Sequence, residues 1–141
     1  KDRQRFGAYP RNWNEVDFTA IYRKGVEVSR AFPDRARLNR ELDERLAAFP
    51  RAVAAVEALA AGATRRRDEA RLLAVLARLK GLSLRLFAHL LRGDGNAADL
   101  KREIEALREP LKQALADAWE PVGRERMMRA FYEPMTRLLG A

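Results

Sequence analysis

The stretch that decides the fold runs from Arg71 to Arg92 and reads RLLAVLARLKGLSLRLFAHLLR. An arginine opens each block of seven residues, at Arg71, Arg78, Arg85 and Arg92, and nearly every residue between them is apolar. With these arginines at heptad position g, positions a and d hold leucine, valine and one histidine, a seam typical of left-handed helical bundles. The other positions are largely apolar too, and a helix that is apolar on most sides is buried on most sides. We therefore predict a central, mostly buried helix over residues 64–92.

Capping and breaking residues divide the rest of the chain into further helical patterns. Asn14 and Asp34 are good caps, because their side-chain oxygens can accept the free N–H groups of a first helical turn. Pro33 ends the first pattern, since the residue before a proline avoids the helical conformation. The other predicted boundaries are Gly62, Thr64, Gly93, Asn96, Pro121 and Gly123. Pro50 indicates either one long kinked helix or two helices nearly in line, and Pro110 and Pro134 are predicted kink positions inside helices.

No segment alternates apolar and polar residues with period two, so no strand is expected. The predicted fold class is all-α, a bundle of about five antiparallel helices in which helix 64–92 is central. Residues 14–141 are predicted to form this single domain. Residues 1–13 contain Gly7 and Pro10 and have no clean period, which indicates an irregular N-terminal arm.

The composition argues against most catalytic and metal sites. The 141 residues include no cysteine and one histidine, so a nitrogen- or sulfur-rich metal site cannot be assembled. His89 lies on the predicted inner seam and is expected to be a hydrogen-bonded core residue. No glycine-rich phosphate loop follows a strand, and no serine lies in the strand–turn–helix context of a hydrolase nucleophile. We expect a protein that is not an enzyme and has no catalytic residues, no metal and no cofactor.

Positive charge is concentrated in the predicted central helix. The net charge is +8, and residues 64–92 hold eight cations against two carboxylates, or +6. Guanidinium groups make bidentate contacts with phosphates, and a repeated line of them suits a nucleic-acid backbone. The leading prediction is therefore a non-catalytic module that contacts nucleic acid, within a larger assembly. The predicted nucleic-acid-binding residues are Arg65, Arg66, Arg67, Arg71, Arg78, Arg85 and Arg92.

The alternative is that the arginines form internal salt bridges, as g positions often do. This alternative requires carboxylates of matching period on adjacent helices. Asp43 and Glu57 are fourteen residues apart but have Pro50 between them, and the acidic residues near Glu103 show no heptad register. The chain would then be a protein-interaction or regulatory domain of a larger protein. Its predicted partner-binding residues are Met127, Met128, Phe131, Tyr132 and Met135.

The expected partner is thus nucleic acid or an acidic protein, and the sequence leaves open a homo-oligomer or a subunit of a complex. No membrane partner is expected, because no run of about 18 apolar residues is free of charge. No secretory signal is visible, and the absence of cysteine fits a reducing compartment. We therefore predict a cytoplasmic location.

Overall fold

The computed structural model describes residues 18–140, and this range contains helices and short connections without any strand. The all-α class is therefore confirmed. The predicted arm at residues 1–13 and the predicted cap Asn14 lie outside the described range. The helices are α1 (Phe18–Arg30), α2 (Arg35–Ala61), α3 (Arg67–Arg92), α4 (Ala97–Ala106), α5 (Arg108–Ala118), α6 (Pro121–Met127), a π-helical turn (Met128–Tyr132) and α7 (Glu133–Leu138).

The predicted bundle of about five helices is confirmed, with two of the five subdivided. Only Leu107 separates α4 from α5, because Pro110 has no N–H to donate to the carbonyl of Ala106, where α4 ends. The helices after Pro121 are also continuous. They pass through the π-helical turn, in which the Glu133 N–H bonds the Met128 carbonyl five residues back.

Helix starts follow the predicted caps in two places and depart from them in one. Asp34 and Asn96 each accept a hydrogen bond from the backbone N–H of the third helical residue, at 3.0 and 3.1 Å. The prediction that Thr64 caps the central helix is wrong. That helix begins at Arg67, and its cap position is Arg66, which has a left-handed backbone (φ 50°) and whose side chain accepts no capping hydrogen bond from the first turn. The central helix is therefore 67–92 rather than 64–92.

Helix ends and interiors agree with the sequence more closely, except that Gly123, a predicted boundary, lies inside α6. Gly93 ends α3 in the left-handed conformation (φ 76°), which glycine adopts without strain. Pro50 lies inside α2, so the second pattern is one long helix and not two. A Cβ atom on Gly81 would lie 3.2 Å from Cδ1 of Phe49, which shows how closely α2 approaches α3 at this glycine.

Helix α3 packs against α1, α2, α4 and α5. Its residues Leu79 and Leu86 are buried in a core that includes Leu111 and Tyr132, and Ala88 joins a smaller cluster near α1. The burial is not complete, because Leu73 remains 61% exposed. Within residues 18–140, none of the helices has the length and apolarity that a membrane span requires.

Candidate functional site

The four arginines of the quoted stretch, hereafter the arginine stripe, each lie beside a carboxylate. Arg71 Nη1 is 3.5 Å from Asp117 Oδ2, which is long for a hydrogen bond. Arg78 donates from Nε and Nη2 to one oxygen of Glu57, at 3.1 and 2.7 Å. The other two arginines make three ion pairs: Arg85 with Glu103, and Arg92 with both Asp43 and Asp94.

The partners alternate between two sides of α3. Asp117 and Glu103 belong to α5 and α4, whereas Glu57 and Asp43 belong to α2. Successive arginines therefore reach in turn to α5, α2, α4 and α2. From Arg71 to Arg85 along α3, the partner changes from Asp117 to Glu103, and from Arg78 to Arg92 it changes from Glu57 to Asp43. Residue numbers rise on α3 while they fall on its neighbours, so α2 and the α4–α5 pair are both antiparallel to α3.

A long surface groove runs along α3 beside these ion pairs, and we call it the α3 groove. Among the described elements, α2 packs extensively only on α3, which leaves space between α2 and the α4–α5 pair. The first section has a volume of about 680 Å³ and extends from Arg67 to Pro110 across Val75. A second section of about 300 Å³ shares Glu57 and Arg78 with the first. A third section of about 300 Å³ shares Leu46 and Arg85 with the second.

Arg92 is the most strongly held member of the stripe. Its side chain is 20% exposed and donates to Asp43 Oδ1 at 2.7 Å and to Asp94 Oδ2 at 2.5 Å. Hydrogen bonds with Asp94 and then Asp43 raise the pKa of Arg92 above its ordinary value, against the opposing effect of burial. The other three arginines are half exposed or more, and ion pairs of that kind contribute little to stability.

The three consecutive arginines before the stripe are more available. Arg65, Arg66 and Arg67 are all exposed at the start of α3. Arg66 contacts Glu69 at 3.4 Å, but within residues 18–140 neither Arg65 nor Arg67 has a carboxylate at ion-pair distance. Arg67 lies beside Arg71 in the first section of the α3 groove. This end of the groove therefore has the least neutralised guanidinium groups of the predicted set.

The predicted partner-binding residues near the C-terminus lie mostly in the core. Tyr132 and Met135 are buried, and Met127 and Met128 are partly buried against the same cluster. Phe131 is 44% exposed and stacks on Phe18, with ring centroids 4.4 Å apart. As placed, only Phe131 of these five presents a large part of its surface to a partner.

Two polar groups on α3 are occupied by local structure. His89 Nδ1 lies 2.9 Å from the backbone oxygen of Asp94, so the predicted hydrogen bond is present, but the side chain is only partly buried and is not a core residue. Ser83 forms a hydrogen bond with the hydroxyl of Tyr22 and so ties α1 to α3. Among residues 18–140, no group of three or more His, Asp or Glu side chains could hold a metal ion.

The carboxylate partners of the stripe are recognisable in the sequence by a spacing of fourteen residues, although they form no seven-residue repeat on a single helix. Glu103 and Asp117 are fourteen residues apart, and so are Arg85 and Arg71, with which they pair. Asp43 and Glu57 have the same spacing as their partners Arg92 and Arg78. The arginines thus form two interleaved sets, and each set matches a carboxylate pair of period fourteen on one neighbour.

No protein-family model matches the chain, and no significant match was found among curated proteins or among solved structures.

Proposed function

We propose that this chain is a non-catalytic helical domain that binds other proteins, with the arginine stripe used for internal salt bridges. One observation carries the proposal: all four stripe arginines lie beside carboxylates of the same chain, on α2, on the α4–α5 pair or in the loop after α3. A guanidinium that already has a carboxylate partner gives less to an external phosphate, because the carboxylate neutralises it and occupies its donors.

Exposed apolar side chains support the same proposal. Single exposed apolar residues are normal on a protein surface, whereas several on one element offer a partner a surface to cover. Exposed large apolar residues recur on and just after α1 and around α6, and two others lie on α2 and α3. These residues are Ile21, Val28, Phe32, Leu59, Leu73, Trp119, Val122 and Phe131.

We propose that the domain is cytoplasmic and acts as a subunit of a complex or as one domain of a larger protein. The cysteine-free composition supports a reducing compartment.

Nucleic-acid binding is a second candidate, and the three arginines at the start of α3 favour it. Arg65 and Arg67 are exposed and have no described carboxylate partner, and they adjoin Arg71, whose ion pair is long. Contacts from these groups would be to the phosphate backbone, which gives affinity without sequence discrimination.

A comparison of two double variants separates the candidates. Arg78→Ala with Arg85→Ala removes two stripe arginines, and Arg40→Ala with Arg51→Ala removes the same charge from exposed positions on α2. If the stripe is internal, both variants weaken retention on heparin and binding of a labelled oligonucleotide to the same extent. The melting temperatures should differ little, because the ion pairs of Arg78 and Arg85 are half exposed.

The opposite result supports nucleic-acid binding. In that case the stripe variant loses oligonucleotide affinity well beyond the α2 variant, at an unchanged melting temperature, and wild-type affinity falls steeply with salt. Light scattering over a range of protein concentrations measures self-association in the same samples, and a mass that rises with concentration supports the protein-binding proposal.

A further inference from the structure

We infer that the α3 groove binds an amphipathic helix of a partner protein, and that this helix has carboxylates along one edge. The inference deepens the proposed function and rests on it, since it names the surface used and the chemistry of the partner. It depends on three properties of the groove: its length, its apolar floor and the uneven neutralisation of its arginines.

The dimensions of the groove match a helix. Its lining on α3 extends from Arg67 to Ala88, which is about 32 Å at 1.5 Å per residue. In the first and third sections α2 and the α4–α5 pair or its N-terminal end form the walls, whereas the second section is lined by α2 and α3 alone. A partner helix in this space would complete a ring of helices around α3, because α1 already covers another side. Amphipathic helices commonly bind in such apolar grooves between helices.

Small and apolar residues form the base of the groove. Ala74 and Val75 of α3 are half-buried, and alanines of α2 and α4 stand at its edges, so the backbone of a partner could approach closely. The alternating ion pairs keep two arginine side chains out of the middle of the groove. The Arg78 guanidinium is held toward α2 and the Arg85 guanidinium toward α4.

The charges at one end of the groove determine the chemistry of the partner. The first section is lined by three arginines, Arg67, Arg71 and Arg78, but by only two carboxylates, Glu57 and Glu103. Arg67 has no described carboxylate partner and Arg71 has a long one, and they are one helical turn apart. Carboxylates on an incoming helix would therefore gain charge-assisted hydrogen bonds at this end.

The first seventeen residues of the chain do not fit this description. They carry four cations against three carboxylates, so they have no net negative charge to complement Arg67 and Arg71. The occupant is therefore assigned to a separate acidic helix.

The test uses a synthetic fluorescent peptide of about six helical turns, long enough to span the groove. It has leucine and alanine on one face and glutamates at spacings of four and seven, to oppose Arg67, Arg71 and Arg78. A second peptide has lysine in place of each glutamate. Fluorescence anisotropy with the full chain is expected to show binding of the glutamate peptide and at least about tenfold weaker binding of the lysine peptide.

Two variants of the protein locate the binding. Arg67→Glu with Arg71→Glu reverses the charge at the open end, and Ala106→Trp fills the first section from an exposed position on α4. Both are expected to weaken glutamate-peptide binding about tenfold or more at an unchanged melting temperature. The matched control Arg40→Glu with Arg51→Glu makes the same charge change outside the groove and is expected to retain binding.

Each alternative result overturns the groove proposal in a distinguishable way. If the peptide binds equally to wild type and to both groove variants, the groove is not the site, although protein binding elsewhere on the domain stands. If the charge control loses as much affinity as the groove variants, the binding reflects net charge only. If the peptide does not bind but a labelled oligonucleotide does, and Arg67→Glu with Arg71→Glu abolishes that binding, the proposed function fails together with the groove.

Discussion

At the scale of single residues, the stripe arginines are chemically unequal although the sequence repeats them evenly. Arg92 is mostly buried and bonds two carboxylates from different parts of the chain, whereas Arg71 is 60% exposed and makes one long contact. A guanidinium that is only 20% exposed loses more free energy when its partners are removed than an exposed one does, because fewer water molecules can replace them. The position of an arginine relative to the core therefore determines its contribution to stability.

Replacement of Arg92 with lysine is expected to destabilise the protein by about 1 kcal/mol, because an ammonium cannot reproduce the guanidinium fork that serves Asp43 and Asp94 together. Replacement of Arg71 with lysine is expected to have an effect near zero, since its single contact is long and exposed to solvent. Urea unfolding of the two variants measures the difference. Equal free energies of unfolding would contradict the ranking of the two pairs.

Tyr132 provides a pH test of the core. Burial raises the pKa of its hydroxyl above the ordinary value, and the hydroxyl donates to the Ile104 carbonyl at 2.5 Å. Because the folded state favours the protonated form, this contribution is fully present below pH about 10, the unfolded pKa of tyrosine, and is lost as pH rises through the folded pKa.

Stability of the wild type should therefore fall more steeply with rising alkaline pH than stability of Tyr132→Phe. The variant should be less stable near neutral pH by about 1 kcal/mol, for the lost hydrogen bond. Thermal melts of both proteins across the alkaline range give the comparison. Parallel curves would show that Tyr132 does not contribute to the alkaline loss.

At the scale of helices, the sequence predicted correctly several helix boundaries that depend only on residues close along the chain. Gly93, Asn96 and Asp34 act as expected because a stop or cap needs only the adjacent backbone. The partners of the stripe could not be read in the same way, since Arg85 meets Glu103 only once α4 packs on α3. Apolar residues at helical spacing also do not show whether their face packs in the core or is exposed to a partner. Tyr132 was predicted to bind a partner, but it is buried in the core.

The start of α3 differs from the cap predicted at Thr64, and the backbone of Arg66 is strained there. Arg66 is the only residue other than glycine with a positive φ in residues 18–140. A side chain in that conformation costs free energy that glycine avoids. Arg66→Gly is therefore expected to stabilise the protein by about 0.5–1 kcal/mol.

The neighbouring substitution Arg65→Gly is the control. Arg65 does not have a positive φ, so a glycine there relieves no strain and increases the conformational freedom of the unfolded chain. It should leave stability unchanged or lower it. Thermal melts of both variants decide the matter, and a loss of stability in Arg66→Gly would show that the left-handed backbone is not strained.

At the scale of the whole molecule, net charge and available charge are different quantities. The chain carries +8, and most of it comes from the segment that contains the stripe. Yet most of the carboxylates that accompany the stripe come from α2, α4 and α5, far away in sequence, and only Asp94 lies close to its partner along the chain. Sequence arithmetic counts the arginines as free cations, whereas the fold places an anion beside each one.

The consequence for the whole molecule is that removing carboxylates should expose a polyanion-binding surface. Glu57→Gln with Glu103→Gln removes the partners of Arg78 and Arg85 with little change in shape. Glu44→Gln with Glu125→Gln raises the net charge equally at exposed positions that do not face the stripe. If the stripe is neutralised internally, the first variant elutes from heparin at higher salt than the second, because two adjacent guanidinium groups become available to sulfate. Equal shifts for the two variants would mean that the arginines are already available to polyanions in the wild type, and the internal role proposed for the stripe would fail.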